Sequence, residues 1–420
     1  MPRLVETLVP ARLGTGFRWL LASSWSSNLG DGIALAAGPL LVASTTDDAF
    51  LVALAATVQW LPPLLFGLWA GVLSDRLDRR LLVVAVDAAR AGVLVLLALA
   101  VLTGEAPIAV VLAALFLVAT AEVFADNTTS TLLPVLVDRD DLAPANARLQ
   151  TGFITVNQLA GPPLGAALFT AGTFLPFATQ AALVGMGAVL VSRLRLPARE
   201  RVRARTRVRH DVAEGLRWVA GHAAVRTLVL TIFVFNITFG AAWSVLVLYA
   251  TERLGLGEVG YGLVTTTGAV GGLLGTLAYG AITRRVSLGN LMRIGLVVET
   301  LTHAALATTT SPLVALPVFF VFGAHAFVWG TTSITVRQRA VPAGLQGRVG
   351  AVNAVGTFGG LVAGSGIGGV LAQHLGVVAP FWFAFAGSAV FLLLIWGQLR
   401  HVAHADEETP AGEPAGAPPA

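Results

Sequence analysis

The chain reads as an all-α integral membrane protein with twelve spans in two pseudo-symmetric six-span halves. Three observations predict this. Of its 420 residues, 55% are hydrophobic and only 12% charged, with a mean hydropathy of +0.78, whereas soluble domains carry about 25% charged residues. Apolar runs of about 20 residues, each long enough to cross the hydrocarbon layer, recur along the chain with short polar loops between them. The arginines also follow a strict alternation. With the N-terminus inside, Arg76, Arg79, Arg80, Arg139, the central run from Arg195 to Arg209, Arg284, Arg285, Arg337, Arg339, Arg348 and Arg400 fall inside, and only Arg253 falls outside. Cytoplasmic loops carry this excess, which predicts a plasma-membrane protein of the bacterial inner membrane with both termini cytoplasmic.

Composition also removes function classes. The net charge of +4 does not point to nucleic acid, because the arginines sit in loops where topology accounts for them. There is no cysteine, so disulfides and thiolate metal or redox sites are excluded. All 27 basic residues are arginine, and without lysine no G-x-x-x-x-G-K-[ST] phosphate loop exists. No cofactor is expected. The G-x-G-x-x-G string at Gly364, Gly366 and Gly369 lies inside an apolar span and reads as helix-packing glycines.

Span 1 ends near Ser44 and is too long for a signal-peptide core. Its polar island, Ser26-Ser27-Asn28-Leu29-Gly30-Asp31-Gly32, sets Asp31 about 20 Å in from Phe17, near the bilayer centre. An acid at that depth is a candidate for proton coupling, with a fixed pairing to Arg90 or Arg148 as the competing reading. Span 2, about Ala49 to Leu73, contains Pro62-Pro63, a predicted kink. Span 3, about Leu81 to Leu102, carries Asp87 and Arg90 on one face. Span 4 begins near Pro107 and carries Glu122 and Asp126 on one face, at matching depth. An intramembrane charge network is expected there, with Glu122 the second coupling candidate.

Span 5, about Ala145 to Ala171, holds Asn157, Gln158 and Gly161-Pro162-Pro163-Leu164-Gly165. Span 6 ends near Leu194, ahead of the arginine-rich linker. Asp211 to Gly221 then reads as an amphipathic helix on the inner surface. Six further spans follow, about Thr227–Ala250, Tyr261–Ile282, Leu291–Thr309, Leu313–Val336, Val349–Leu375 and Val378–Leu399. The expected organisation is residues 1–195 as the first half, 196–222 as the linker, 223–400 as the second half and 401–420 as a disordered tail. Gly364 and Gly368 echo Gly161 and Gly165 at an offset of just over 200 residues, as expected of a duplicated unit. In the second half, Glu299 and His303 share a face and His325 reaches similar depth, a possible second titratable site. No serine or metal-ligand spacing accompanies them, so an enzyme is not expected.

Between spans 2 and 3 lies Gly71-Val72-Leu73-Ser74-Asp75-Arg76-Leu77-Asp78-Arg79-Arg80. It resembles the G-x-L-S-D-R-x-[GD]-R-[RK] signature of the major facilitator superfamily. The Gly161, Pro162 and Gly165 core resembles that superfamily's antiporter motif, with Asn157, Ala166 and Arg148 standing where the motif has glycine. The strings Ser27 to Gly32, Ala143 to Ala147 and Asp211 to Trp218 look like its drug and siderophore exporter branch, which includes enterobactin exporters and macrolide efflux proteins.

The resemblance implies a proton-driven exporter of a drug-like, siderophore or natural-product molecule, acting by alternating access as a monomer in contact with membrane lipid. It implies a conformational latch of Gly71, Asp75, Arg76, Arg79 and Asp126, with Asp75 capping the eleventh span near Gly350 in the outward-facing state. Asn28, Asn157, Asn236, Trp243 and Trp329 are the expected cavity residues. The alternatives are an uptake symporter, a transporter of lipid-like molecules, and a transport-inactive membrane sensor.

Overall fold

The computed structural model describes residues 11–196 and 208–399. The linker arginines from Arg199 to Arg207 and the predicted tail lie outside that range. Among the described residues the chain is helical throughout, without strands. We number the principal helices α1 (Gly14–Thr45), α2 (Ala49–Arg76), α3 (Arg79–Thr103), α4 (Ile108–Ser130), α5 (142–171), α6 (Leu175–Ser192), α7 (Val208–Gly221), α8 (Ala223–Trp243), α9 (Glu258–Thr283), α10 (Leu288–Thr308), α11 (Pro312–Ala340), α12 (Gln346–Leu375) and α13 (Ala379–Ile395).

Eight helical stretches are long and apolar enough to cross a membrane by length and composition. The other predicted spans fall on α1, which carries the polar island, on the interrupted α5, on the glycine-rich α9 and on α13, which has 17 residues. Large apolar side chains point outward along the bundle, Leu96, Leu277 and Leu393 among them. Water would penalise such an exterior and lipid does not.

Local chemistry sets the helix ends. Asp48 starts α2 by accepting the N–H of Phe50 at 2.8 Å, and Asp78 starts α3 by accepting that of Leu81 at 3.0 Å, each meeting an otherwise orphaned donor. Gly104, at φ +76°, takes the left-handed position that closes α3. The middle of α5 is a π-helix over Phe153–Ala160. Pro162 and Pro163 have no N–H to give, so the carbonyls of Gln158 and Leu159 lose their ordinary donors and the winding loosens. Thr266 of α9 supplies a hydroxyl to the Leu159 carbonyl at 3.4 Å.

Glycines bring the helices close in the same way in both halves. A Cβ on Gly165 would stand 2.2 Å from the Ile33 carbonyl oxygen, so α5 rides directly on the backbone of α1. A Cβ on Gly368 would stand 2.2 Å from the Ala241 oxygen, so α12 rides on α8. The predicted echo between these glycine pairs is therefore a matched pair of helix crossings.

At the end of the bundle away from the 71–80 loop, one buried apolar cluster takes residues from both halves, including Leu40, Ala53 and Phe169 with Leu246, Tyr261 and Ala372. At the loop end, each buried cluster stays within one half. The halves are thus sealed together at one end only. A hydrogen bond of 2.6 Å between the hydroxyls of Thr57 and Ser365 crosses the seal.

Candidate functional site

A cavity of about 590 Å³ lies between the halves beneath the seal, large enough for a drug-sized molecule. Aromatic rings gather on the second-half side of its wall. Trp243 sits 4.5 Å from Phe239 and 4.4 Å from Phe322, ring centre to ring centre. As predicted, Asn236, Trp243 and Trp329 line it. Asn28 and Asn157 do not. Asn28 turns back along its own helix to the Ser24 carbonyl at 2.8 Å, and Asn157 is buried where Gly32 packs on its backbone. In the loosened winding of α5 it is Gln158 that reaches the cavity, together with Gln59 of α2. Gln59 precedes Trp60 just before the double proline, a polar–aromatic pair that could have marked it.

Of the first-half charges, Asp31, Arg90 and Glu122 meet. The buried Arg90 guanidinium pairs with Asp31 of α1 and, at 3.0 Å, with Glu122 of α4. Gln180 of α6 donates to the same Asp31 oxygen at 3.3 Å. Arg90, not Arg148, is therefore the partner of Asp31. Arg148 donates to the Pro144 carbonyl at 2.8 Å. Asp87 is buried with one carboxylate oxygen lacking a hydrogen bond, and Asp126 is exposed. Glu122 is 38% exposed whereas Asp31 is 10% exposed, so one acid of the pair faces open space and the other faces protein. One cation serves two carboxylates directly. With all three ionised the group carries one excess negative charge, and a single proton balances it.

Around the 71–80 loop, Arg79 donates to the Thr131 carbonyl at 2.9 Å and Arg80 to that of Leu194 at 3.1 Å. These cations sit at the C-terminal ends of α4 and α6, where the helix dipole favours them. Arg76 is exposed, and open space surrounds both Gly71 and Gly350. The side chain of Asp75 lies outside the described residues. The start of α12 is instead held by α7, whose Glu214 and Asp211 meet Arg348 at 2.7 and 3.4 Å. His210, Asp211 and Glu214 lie within metal-like spacing of one another, but the Arg348 guanidinium already occupies both acids.

In the second half, Glu299 and His325 both line the cavity, with their nearest charged-group atoms 4.0 Å apart. His303 is fully buried and set edge-on to Trp243 at 5.9 Å. Neither ring nitrogen of His303 or His325, nor the indole nitrogen of Trp329, has a hydrogen-bond partner. The three residues Glu299, His303 and His325 thus share one region, with Glu299 and His325 closest.

The multidrug efflux pump Tap of Mycolicibacterium fortuitum is 28% identical over 393 residues, covering 90% of this chain and 93% of that protein. Among solved structures, a bacterial homologue of the iron transporter ferroportin in an inward-facing state superposes with a TM-score of 0.75 at 17% identity, covering 91% of this chain and 98% of that one. The nucleoside transporter NupG superposes with a TM-score of 0.68 at 13% identity over 94% of this chain and all of its own. These neighbours are transporters and not enzymes, and at such identities they speak to the fold. The family model described as transmembrane secretion effector matches residues 6–414, so this membrane transporter belongs to that family of the major facilitator superfamily.

Proposed function

We propose that the protein exports a small, largely apolar molecule across the bacterial inner membrane, driven by protons and acting as a monomer. The units are residues 1–195 and 223–400, rocking about the cavity. With the arginine-rich side cytoplasmic, the structure described above is the inward-facing state: sealed outside, parted inside. Efflux is favoured over uptake by the likeness to Tap and by the glycine-paved α1–α5 crossing at Gly161, Pro162 and Gly165.

The observation that carries the coupling is Arg90 shared between Asp31 and Glu122. A proton arriving through the more exposed Glu122 frees Arg90 to pair wholly with Asp31, and its departure restores the shared arrangement. Because α1, α3 and α4 all contribute, each protonation state favours its own packing of the half. In the outward-facing state the 71–80 loop would engage α12, with Asp75 at the helix start near Gly350 and Arg79 toward Asp126.

Proteoliposomes with an imposed pH gradient and a panel of substrates test this. Wild type should concentrate at least one compound at the expense of the gradient. Asp31→Asn and Glu122→Gln should lose uphill transport and keep downhill exchange. Undiminished accumulation by both variants would remove the proton path from this site.

A further inference from the structure

The two halves balance their buried charges differently. Asp31 and Glu122 have a guanidinium built between them. Glu299 has none. Among the described residues its ion-pair partner is His325 alone, at 4.0 Å, beyond hydrogen-bond reach. The other groups that could charge nearby are few. His303 lies one turn along α10 with both nitrogens unpartnered. Of the helices packed on α10, α13 carries no charged residue within Ala379–Ile395, and α11 brings only His325 to this depth, its arginines lying in its last turn. On α10 itself, Arg293 is turned to the Trp396 ring at 5.5 Å.

A largely buried carboxylate whose neighbour is an imidazole rather than a guanidinium is neutralised by a proton or by a cation that enters the cavity, and the second leaves it a site for charged cargo. The wall beside it shows what suits the place. Phe239, Trp243 and Phe322 form a continuous stack, with Phe239 and Phe322 parallel within 6° at 5.8 Å between centres. Their faces carry the negative side of the ring quadrupole, which attracts cations and most strongly those that shed water easily. A hydrated metal ion gains little from such a wall. The histidines do not close a metal cage either, since Glu299, His303 and His325 fall outside the metal-like groupings of the described residues.

From this arrangement, and resting on the export reading above, we infer that the substrate is a lipophilic organic monocation, a protonated amine or quaternary onium ion. Its charge pairs with Glu299 and its hydrocarbon body lies against Phe239, Trp243 and Phe322. The substrate thereby supplies to the second half what Arg90 supplies to the first. The cavity, at about 590 Å³, holds one such molecule.

Equilibrium binding to the purified full chain, with no gradient present, tests this independently of coupling. The probes are tetraphenylphosphonium, a permanent cation, and triphenylphosphine oxide, a neutral aryl analogue. Wild type should bind the cation more tightly. Glu299→Gln should weaken cation binding by about ten-fold or more while shifting the neutral probe less than about two-fold, which also shows that the variant is folded. Glu299→Asp should fall between the two. Equal losses for both probes, no loss for the cation, or a wild type that ignores the cation would each overturn the inference. So would manganese binding that His325→Gln abolishes in a protein indifferent to the cation. If gradient-driven transport of some other compound persists in those cases, the export reading stands and only the substrate class falls. If cation binding holds but no gradient drives transport, the reverse is true.

Discussion

The two halves share a skeleton and differ in how they handle charge. Gly165 of α5 against α1 and Gly368 of α12 against α8 make the same approach to a backbone carbonyl oxygen, each with a prospective Cβ at 2.2 Å. On that common frame the first half gathers Asp31 and Glu122 around Arg90, and the second half sets Glu299, with His325 as its neighbour, in a cavity walled by stacked aromatic rings. The matched crossings are what a duplicated unit would leave, and the contrast in charge is where the two halves part. In the proposed cycle one would store the coupling proton and the other would meet the cargo.

The largest effect should come from taking the cation out of the first half. Arg90→Ala leaves carboxylates buried without a counter-charge and should destabilise the protein by about 3–5 kcal/mol, read as a lowered unfolding temperature of the purified protein. Adding Asp31→Asn and Glu122→Gln in the same chain should recover a large part of that loss. Failure to recover would mean that Arg90 acts through packing alone. The matched glycines come next. Gly165→Val and Gly368→Val should each cost about 1–3 kcal/mol through overpacking, and the costs should agree within about 1 kcal/mol, whereas Gly366→Ala, with open space around it, should cost less than either. Unequal losses would break the symmetry argument. Glu299→Gln should change stability by less than about 1 kcal/mol, because the amide matches the carboxyl in size and no hydrogen bond is given up, the His325 ring standing 4.0 Å away, in contrast to Arg90→Ala. The smallest effect belongs to Arg348→Gln, whose half-exposed pairs with Asp211 and Glu214 are worth about 0.2–1 kcal/mol. One functional prediction crosses the series. Asp75→Asn should insert and fold as wild type does yet transport several-fold more slowly, and unchanged kinetics in vesicles would remove Asp75 from the latch.

Much of this was legible in the sequence because the bilayer leaves a chain few choices. Spacing along a helix sufficed to bring Arg90 and Glu122 to matching height, where they pair at 3.0 Å, since a fixed rise per residue converts number into height. Which partner Asp31 takes was not legible. That depends on how α3 is rotated against α1, and the sequence offered Arg90 and Arg148 on equal terms. The cavity polar residues failed for a related reason. Asn157 and Gln158 are neighbours, and the π-helix decides which of them faces inward; the proline pair predicts a disturbance there but not the angle it introduces. Asn28 was misplaced because a short amide can satisfy itself on the preceding turn. The aromatic wall was only half visible. Trp243 stood out in the sequence, but Phe239 and Phe322 look like ordinary core residues until α8 and α11 are seen side by side.

The one-ended seal has a further consequence. Its material is alanine, leucine, valine and aromatic side chains from both halves, joined by hydroxyl contacts such as Thr57 to Ser365, while the opposite end is lined by arginines and acids. Parting the first exposes hydrocarbon and should carry a heat-capacity change, so its equilibrium shifts with temperature and hardly with ionic strength. Closing the second assembles charges near water and should weaken as the Debye length shortens. In the proposed cycle the two ends would thus be gates that answer to different physical variables. Warming and salting a reconstituted sample would move the two ends of the cycle separately.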